Sequence, residues 1–181
     1  MTMKKIILSA VLMLAANTII AQKAMTRTGE VKFEASMPAV EEVAATNNTV
    51  SAVLEKETGN FAALVLIKSF KFKAPLMEEH FNENYMESSK FPKATFKGTI
   101  AKFDASKLTV TKTAYDVEGD LTIHGVTKKV KTKIVLVLLS SGKIGATSDF
   151  KVKPQDYGIE IPNLVKSKIA ENIDVTFNFT L

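Results

Sequence analysis

The chain has 181 residues, with two histidines, His80 and His124, and no cysteine, and these limits bound its chemistry. Imidazole can move protons near neutral pH or hold zinc, but a closed zinc site needs four donors, and neither histidine stands at ligand spacing. Asp120 precedes His124 by four residues on one strand face, a separation of about 13 Å at about 3.3 Å per residue, too far for a hydrogen bond. There is no Gly-x-Ser-x-Gly turn, no glycine-rich phosphate loop and no His-Glu-x-x-His. The expectation is a chain that is not an enzyme and uses no cofactor and no metal. A lipid hydrolase or isomerase would need a buried polar cluster around His80, His124 or Tyr157.

Hydrocarbon is what the chain has in quantity: 46% of its residues are hydrophobic, with 11 Phe and no Trp. Apolar surface gains about 25 cal/mol per Å² on leaving water, so a site for a hydrocarbon ligand needs aromatic and branched walls with few polar groups. These side chains are positioned by period-two alternation, which puts one side of each segment in a core and the other in water. Ile173, Val175, Phe177, Phe179 and Leu181 share one face, and Asp174, Thr176, Asn178 and Thr180 the other. The pattern recurs in Val31, Phe33, Ala35 and Met37, in Tyr115, Val117, Leu121 and Ile123, and in Ile144, Ala146, Phe150 and Val152.

Turn signals at Thr58-Gly59-Asn60, Phe103 to Ser106, His124-Gly125 and Ser140-Ser141-Gly142 separate the runs. Eight strands are predicted, over 30–37, 49–57, 60–73, 93–103, 107–123, 126–140, 142–153 and 171–181. Residues 75–87 read instead with helical period. Pro75 suits a first helical position, Glu78 and Glu79 complement the helix dipole, and Met77, Phe81 and Tyr85 share one face. Phe91-Pro92 then returns the chain to extended geometry.

The expected fold is all-β, one antiparallel eight-stranded barrel with a short covering helix, because closure removes exposed strand edges. A two-sheet sandwich would alternate similarly. Strand phase directs Phe33, Leu64, Leu66, Phe70, Phe72, Phe96, Ile100, Tyr115, Val117, Leu121, Ile134, Leu136, Phe177 and Phe179 inward, and the helix adds Phe81 and Tyr85. Each is either core packing or the wall of a ligand site, since eight strands leave an interior that fills with side chains or holds one small ligand. Lys68 shares the face of Leu66 and Phe70, so it either meets an anionic head group or snorkels to an edge. His80 and His124 are the other candidate head-group contacts, although a hairpin corner equally needs a residue such as His124 to satisfy a loop carbonyl.

Lys4 and Lys5 precede an apolar run, Ile6 to Ala16, shorter than the roughly 20 residues that span a bilayer, and the stretch ends at Ala21. Residues 1–21 therefore read as a secretory signal peptide cleaved after Ala21, leaving 22–181 as a soluble periplasmic or extracellular domain. Cleavage takes two of 24 bases and none of 19 acids, leaving 22 and a net charge of +3. No basic block suggests nucleic acid. Lys129, Lys131 and Lys133 form an outward row that is either a solvated face or a guide to an anionic membrane surface.

Three strings lift the reading above a generic barrel: Lys90-Phe91-Pro92-Lys93-Ala94-Thr95-Phe96, Gly119-Asp120-Leu121-Thr122-Ile123-His124-Gly125-Val126-Thr127-Lys128, and Asp156-Tyr157-Gly158-Ile159. In this order and spacing residues 28–181 resemble the YceI family. The resemblance implies a lipocalin-like barrel with a helical cover, exported, that holds an isoprenoid or other long-chain amphiphilic lipid in its lumen, as a monomer or homodimer. The chain departs from the family pattern at Met77 to Met86, where an Arg-Asp-x-His-Leu segment is frequent. The alternative function is a non-catalytic structural or stress-related envelope module with a filled barrel.

Overall fold

A computed structural model describes residues 23–37 and 42–181, so the predicted signal peptide lies outside the described residues. The strands are β1 (Lys23–Ser36), β2 (Ala44–Glu55), β3 (Asn60–Leu66), β4 (Lys71–Phe72), β5 (Lys93–Ile100), β6 (Thr113–Ile123), β7 (Val126–Leu138), β8 (Ile144–Val152) and β9 (Ile169–Thr180). They pair antiparallel in the order β1-β9-β8-β7-β6-β5-β3-β2, with the two-residue β4 beside β2, and β1 pairs in turn with β2. That last pairing closes eight long strands into a barrel without a free long edge, as the alternation predicts, and excludes an open sandwich.

Local sequence explains most of the junctions. The β6–β7 hairpin turns on His124 and Gly125, whose φ values of 51° and 75° are both positive. A two-residue turn needs that combination to match the twist of its strands. β1 begins seven residues before the predicted start, in a stretch that does not alternate cleanly because the pairing slips on either side of Gly29. The predicted strand 107–123 begins instead at Thr113, after a 3-10 turn over Ala105–Lys107.

The predicted strand 60–73 is broken by a 3-10 turn over Ile67–Ser69. Phe61, Ala63 and Val65 face inward before the turn, Ile67 at its first residue, and Phe70 and Phe72 after it. The turn shifts the inward phase from odd to even positions.

The cover is α1 (Pro75–His80) followed by a π-helical turn over Phe81–Tyr85. Pro75 occupies the first turn as predicted. Glu78 accepts a hydrogen bond from Lys71 Nζ at 2.6 Å, which ties the cover to β4.

Candidate functional site

Strand polarity divides the barrel into two unlike halves. One end, where β1, β3, β6 and β8 begin and β2, β5, β7 and β9 finish, is packed solid. Val50, Leu54, Ile100, Ile134, Leu136, Ile144, Ala146 and Phe179 are all buried there in one cluster. At the opposite end the inward side chains enclose a cavity of about 430 Å³. That lies within the roughly 300–1,000 Å³ usual for small-molecule sites.

The cavity runs from an aromatic floor to an aromatic roof. At the floor Phe177 stacks on Phe179 at 4.5 Å, and Phe61 touches Phe96, Phe177 and Phe179 with centroids 6.0–6.3 Å apart. Phe96 can lie flat because Gly98 and Gly119 face each other across β5 and β6. A Cβ on either glycine would come within 2.7 Å of the Phe96 ring. At the roof Phe33, Phe70, Phe72 and Phe81 form a second cluster, with Phe33 stacked on Phe81 at 5.4 Å. Between them the walls are Ala63, Val65, Leu121, Val130, Phe150, Ile173 and Val175.

The lining is almost wholly hydrocarbon. Thr95, Thr132, His80, Tyr85 and Lys168 are its polar members. His80 and Lys168 are the solvent-exposed members of the lining, so the cavity reaches the surface between α1 and the segment 153–168. Ile159, Ile161 and Val165 of that segment line it as well.

Among the predicted lumen residues, Phe33, Phe70, Phe72, Phe81, Tyr85, Phe96, Val117, Leu121, Phe177 and Phe179 line the cavity. Ile100, Tyr115, Ile134 and Leu136 point inward but belong to the solid end, below the floor. Leu64 and Leu66 face away from the cavity, Leu66 being 41% exposed, because the turn at Ile67–Ser69 shifts the phase. The same turn carries Lys68 outward, where its Nζ donates to Ser89 Oγ at 3.2 Å and does not border the cavity. Lys168 takes the position of a charge at the mouth. An apolar triple, Ile159, Ile161 and Val165, inside a proline-bounded loop was the signal for its segment.

His124 is outside the cavity. Its Nε2 lies 2.9 Å from Glu87 Oε2 and its Nδ1 lies 3.3 Å from the Tyr157 carbonyl oxygen. Phe91 packs edge-on against the imidazole at 4.4 Å. The three resembling strings thus meet here, and His124 joins the end of the cover to the loop beyond β8. The contact geometry is that of a structural pin. Burial raises the Tyr157 hydroxyl above the usual phenol range, with the Asp156 charge adding to it.

Lys129, Lys131 and Lys133 point outward, but each is matched across the strand pair: with Asp120 at 3.1 Å, Glu118 at 3.0 Å and Asp116 at 2.8 Å. The row is a neutral ladder, which removes the basis for reading it as a guide to anionic membrane. Among the described residues no three metal-ligating side chains converge, and no helix is long and apolar enough to cross a membrane.

The YceI-like domain family matches residues 23–181. Among curated proteins, Protein YceI of Escherichia coli O157:H7 is 30% identical over 82 residues, 42% of this chain and 39% of that protein. The matched stretch thus spans about two fifths of the curated relative's length. Among solved structures, a polyisoprenoid binding domain from Saccharophagus degradans implicated in plant cell wall breakdown superposes with a TM-score of 0.74 at 18% identity. The superposition covers 87% of this chain and 95% of that one. Burkholderia cenocepacia BcnA gives a TM-score of 0.71 at 16% identity over 84% and 96%. These structural likenesses establish a shared barrel.

Proposed function

The chain belongs to the YceI-like family, and on that premise we propose that it is an exported, non-catalytic carrier of an amphiphilic lipid with a polyisoprenoid-like tail. The observation that carries this reading is the cavity of about 430 Å³, walled by hydrocarbon from floor to roof. An apolar tail placed there leaves water without stranding any buried polar group, because few are present. Branched, unsaturated chains suit walls built from phenylalanine and β-branched residues, and the likeness to a polyisoprenoid binding domain supports that class of tail. The head group lies at the mouth, near His80 and Lys168. Residues 1–21 direct export and are removed, leaving the carrier in the periplasm or outside the cell. His124 and Tyr157 have structural parts, and among the described residues neither histidine has a partner at the cavity that would make it a proton-transfer pair.

The test is native mass spectrometry of the full chain expressed in bacteria with export intact and purified without detergent. The expected spectrum has an added mass of a long-chain lipid, and a protein purified empty takes up farnesyl phosphate or octaprenyl phosphate on incubation. An empty spectrum together with no uptake of either probe would overturn the reading.

A further inference from the structure

We infer that the mouth of the barrel is a membrane-docking face, with Leu164 and Leu76 entering the bilayer and Lys166 and Lys168 meeting anionic lipid phosphates. The inference rests on the carrier reading and goes further, naming the surface with which the cavity exchanges its contents.

The large apolar side chains left in water are unevenly placed. Four of the six among the described residues, Met37, Leu66, Leu76 and Leu164, stand at the mouth end; Met25 and Val110 are at the other. Leu164 is 89% exposed and Leu76 61%. Each immediately precedes a residue that lines the cavity, Val165 and Met77, so the two leucines stand on its rim and point the other way.

Leu164 is presented on a fixed turn. Val165 N donates to the Pro162 carbonyl at 3.0 Å and Lys168 N to that of Val165 at 2.9 Å. Met37 N donates to the Lys168 carbonyl at 3.3 Å, which fastens the turn to the end of β1.

Charge selects a bilayer as the occupant. Residues 161–168 hold two lysines and no acid. Among the described residues neither Lys166 nor Lys168 has a carboxylate at ion-pair distance; Glu171, which holds Lys153 at 2.6 Å, lies near enough to Lys166 to feel its charge, and Glu160 precedes the turn. An exposed leucine beside two lysines at the rim matches the interface of an anionic membrane, where hydrocarbon lies a few ångströms below phosphate. The cover carries Glu79 on α1 and Glu83 on the π-helical turn, so phosphate contact falls to the 162–168 turn and α1 contributes hydrocarbon. With the mouth seated on lipid, a tail passes between bilayer and cavity without crossing water.

Flotation of the purified full chain with vesicles tests this, using phosphatidylcholine alone or with one third phosphatidylglycerol. The chain should float with the anionic vesicles, weakly with the neutral ones, and dissociate as salt rises. Leu164→Glu should lower partitioning at least tenfold, and Lys166→Ala with Lys168→Ala should abolish the preference for anionic lipid. Val110→Glu, at the opposite end, should change nothing. Uptake of farnesyl phosphate and of octaprenyl phosphate from ethanol, without vesicles, is measured in parallel, and Leu164→Glu should load as wild type does. Wild-type protein that loads but does not float, or a Leu164→Glu variant that floats equally, overturns the docking face and leaves the carrier reading standing. Wild-type protein that takes up neither octaprenyl phosphate nor farnesyl phosphate and does not float overturns both. A dimer that Leu164→Glu splits, without vesicle binding, would assign the face to self-association and overturn the inference.

Discussion

His124 Nε2 and Glu87 Oε2 meet at 2.9 Å, and both residues hold a positive φ, 51° and 41°. Two side chains on unfavourable backbone conformations thus pin the cover to the β6–β7 hairpin. A residue in this region other than glycine or asparagine persists only when its surroundings fix it. No residue of α1 is fully buried, and the cover packs through half-buried Phe81 and Tyr85 and buried Met86.

The pin predicts a local change without global unfolding. His124→Asn keeps a residue tolerant of positive φ and removes the imidazole contacts, so it should weaken the cover by about 1 kcal/mol, as expected for a partly exposed charge-assisted hydrogen bond. Amide exchange reads this directly. The amides of Met86 and Ser88, bonded to the carbonyls of Phe81 and Asn82, should exchange several-fold faster, while those of β7 stay protected.

Filling the hollow should separate binding from stability. Ala63 lines the cavity, and Ala63→Phe puts a ring where the tail would lie. Octaprenyl phosphate uptake should fall at least tenfold, while the thermal midpoint moves by only a few degrees.

The glycine pair under Phe96 should behave oppositely. A Cβ at Gly119 would stand 2.4 Å from the Lys97 carbonyl oxygen and 2.5 Å from the Gly98 Cα. Gly119→Ala should therefore cost about 1–3 kcal/mol of stability, the usual penalty for overpacking, measured by chemical denaturation.

Burial raises the Tyr157 hydroxyl above its ordinary value of 10.0. Below that value the phenol is neutral in both folded and unfolded chains, and its contribution to stability is complete. As pH climbs past 10 the unfolded chain ionises first, so stability falls until the folded phenol also titrates. Ultraviolet titration of the tyrosines should show a late component that Tyr157→Phe removes.

The barrel was legible because its strands repeat a rule. Ile173, Val175, Phe177 and Phe179 alternate without interruption, and the structure places all four on the cavity. The rule fails where the backbone changes period. In the sequence Leu64, Leu66 and Lys68 share the strand phase of Phe70, and the 3-10 turn at Ile67–Ser69 breaks that phase. Val65→Ser should accordingly destabilise more than Leu66→Ser, which should lie within about 0.5 kcal/mol of wild type.

The division between solid and hollow was not legible, for a physical reason. Ile134 and Leu136 below the floor and Val130 above it belong to the same strand, and β-branched and leucine side chains pack a core or line a cavity equally well. What differs is the side chain opposite, which depends on eight strands meeting. The segment 153–168 escaped for another reason: it has no strand or helix period, and its apolar residues are aligned by irregular turns packed on the barrel.

The uneven interior gives the empty chain a complete scaffold before any guest arrives. Half the cylinder is packed solid without a guest, so on the carrier reading proposed above loading is an equilibrium of a folded receptor and not a step in its maturation. Cargo would therefore raise the melting point only by mass action, in proportion to the logarithm of its concentration over its dissociation constant. On that reading one barrel serves many rounds of filling and emptying.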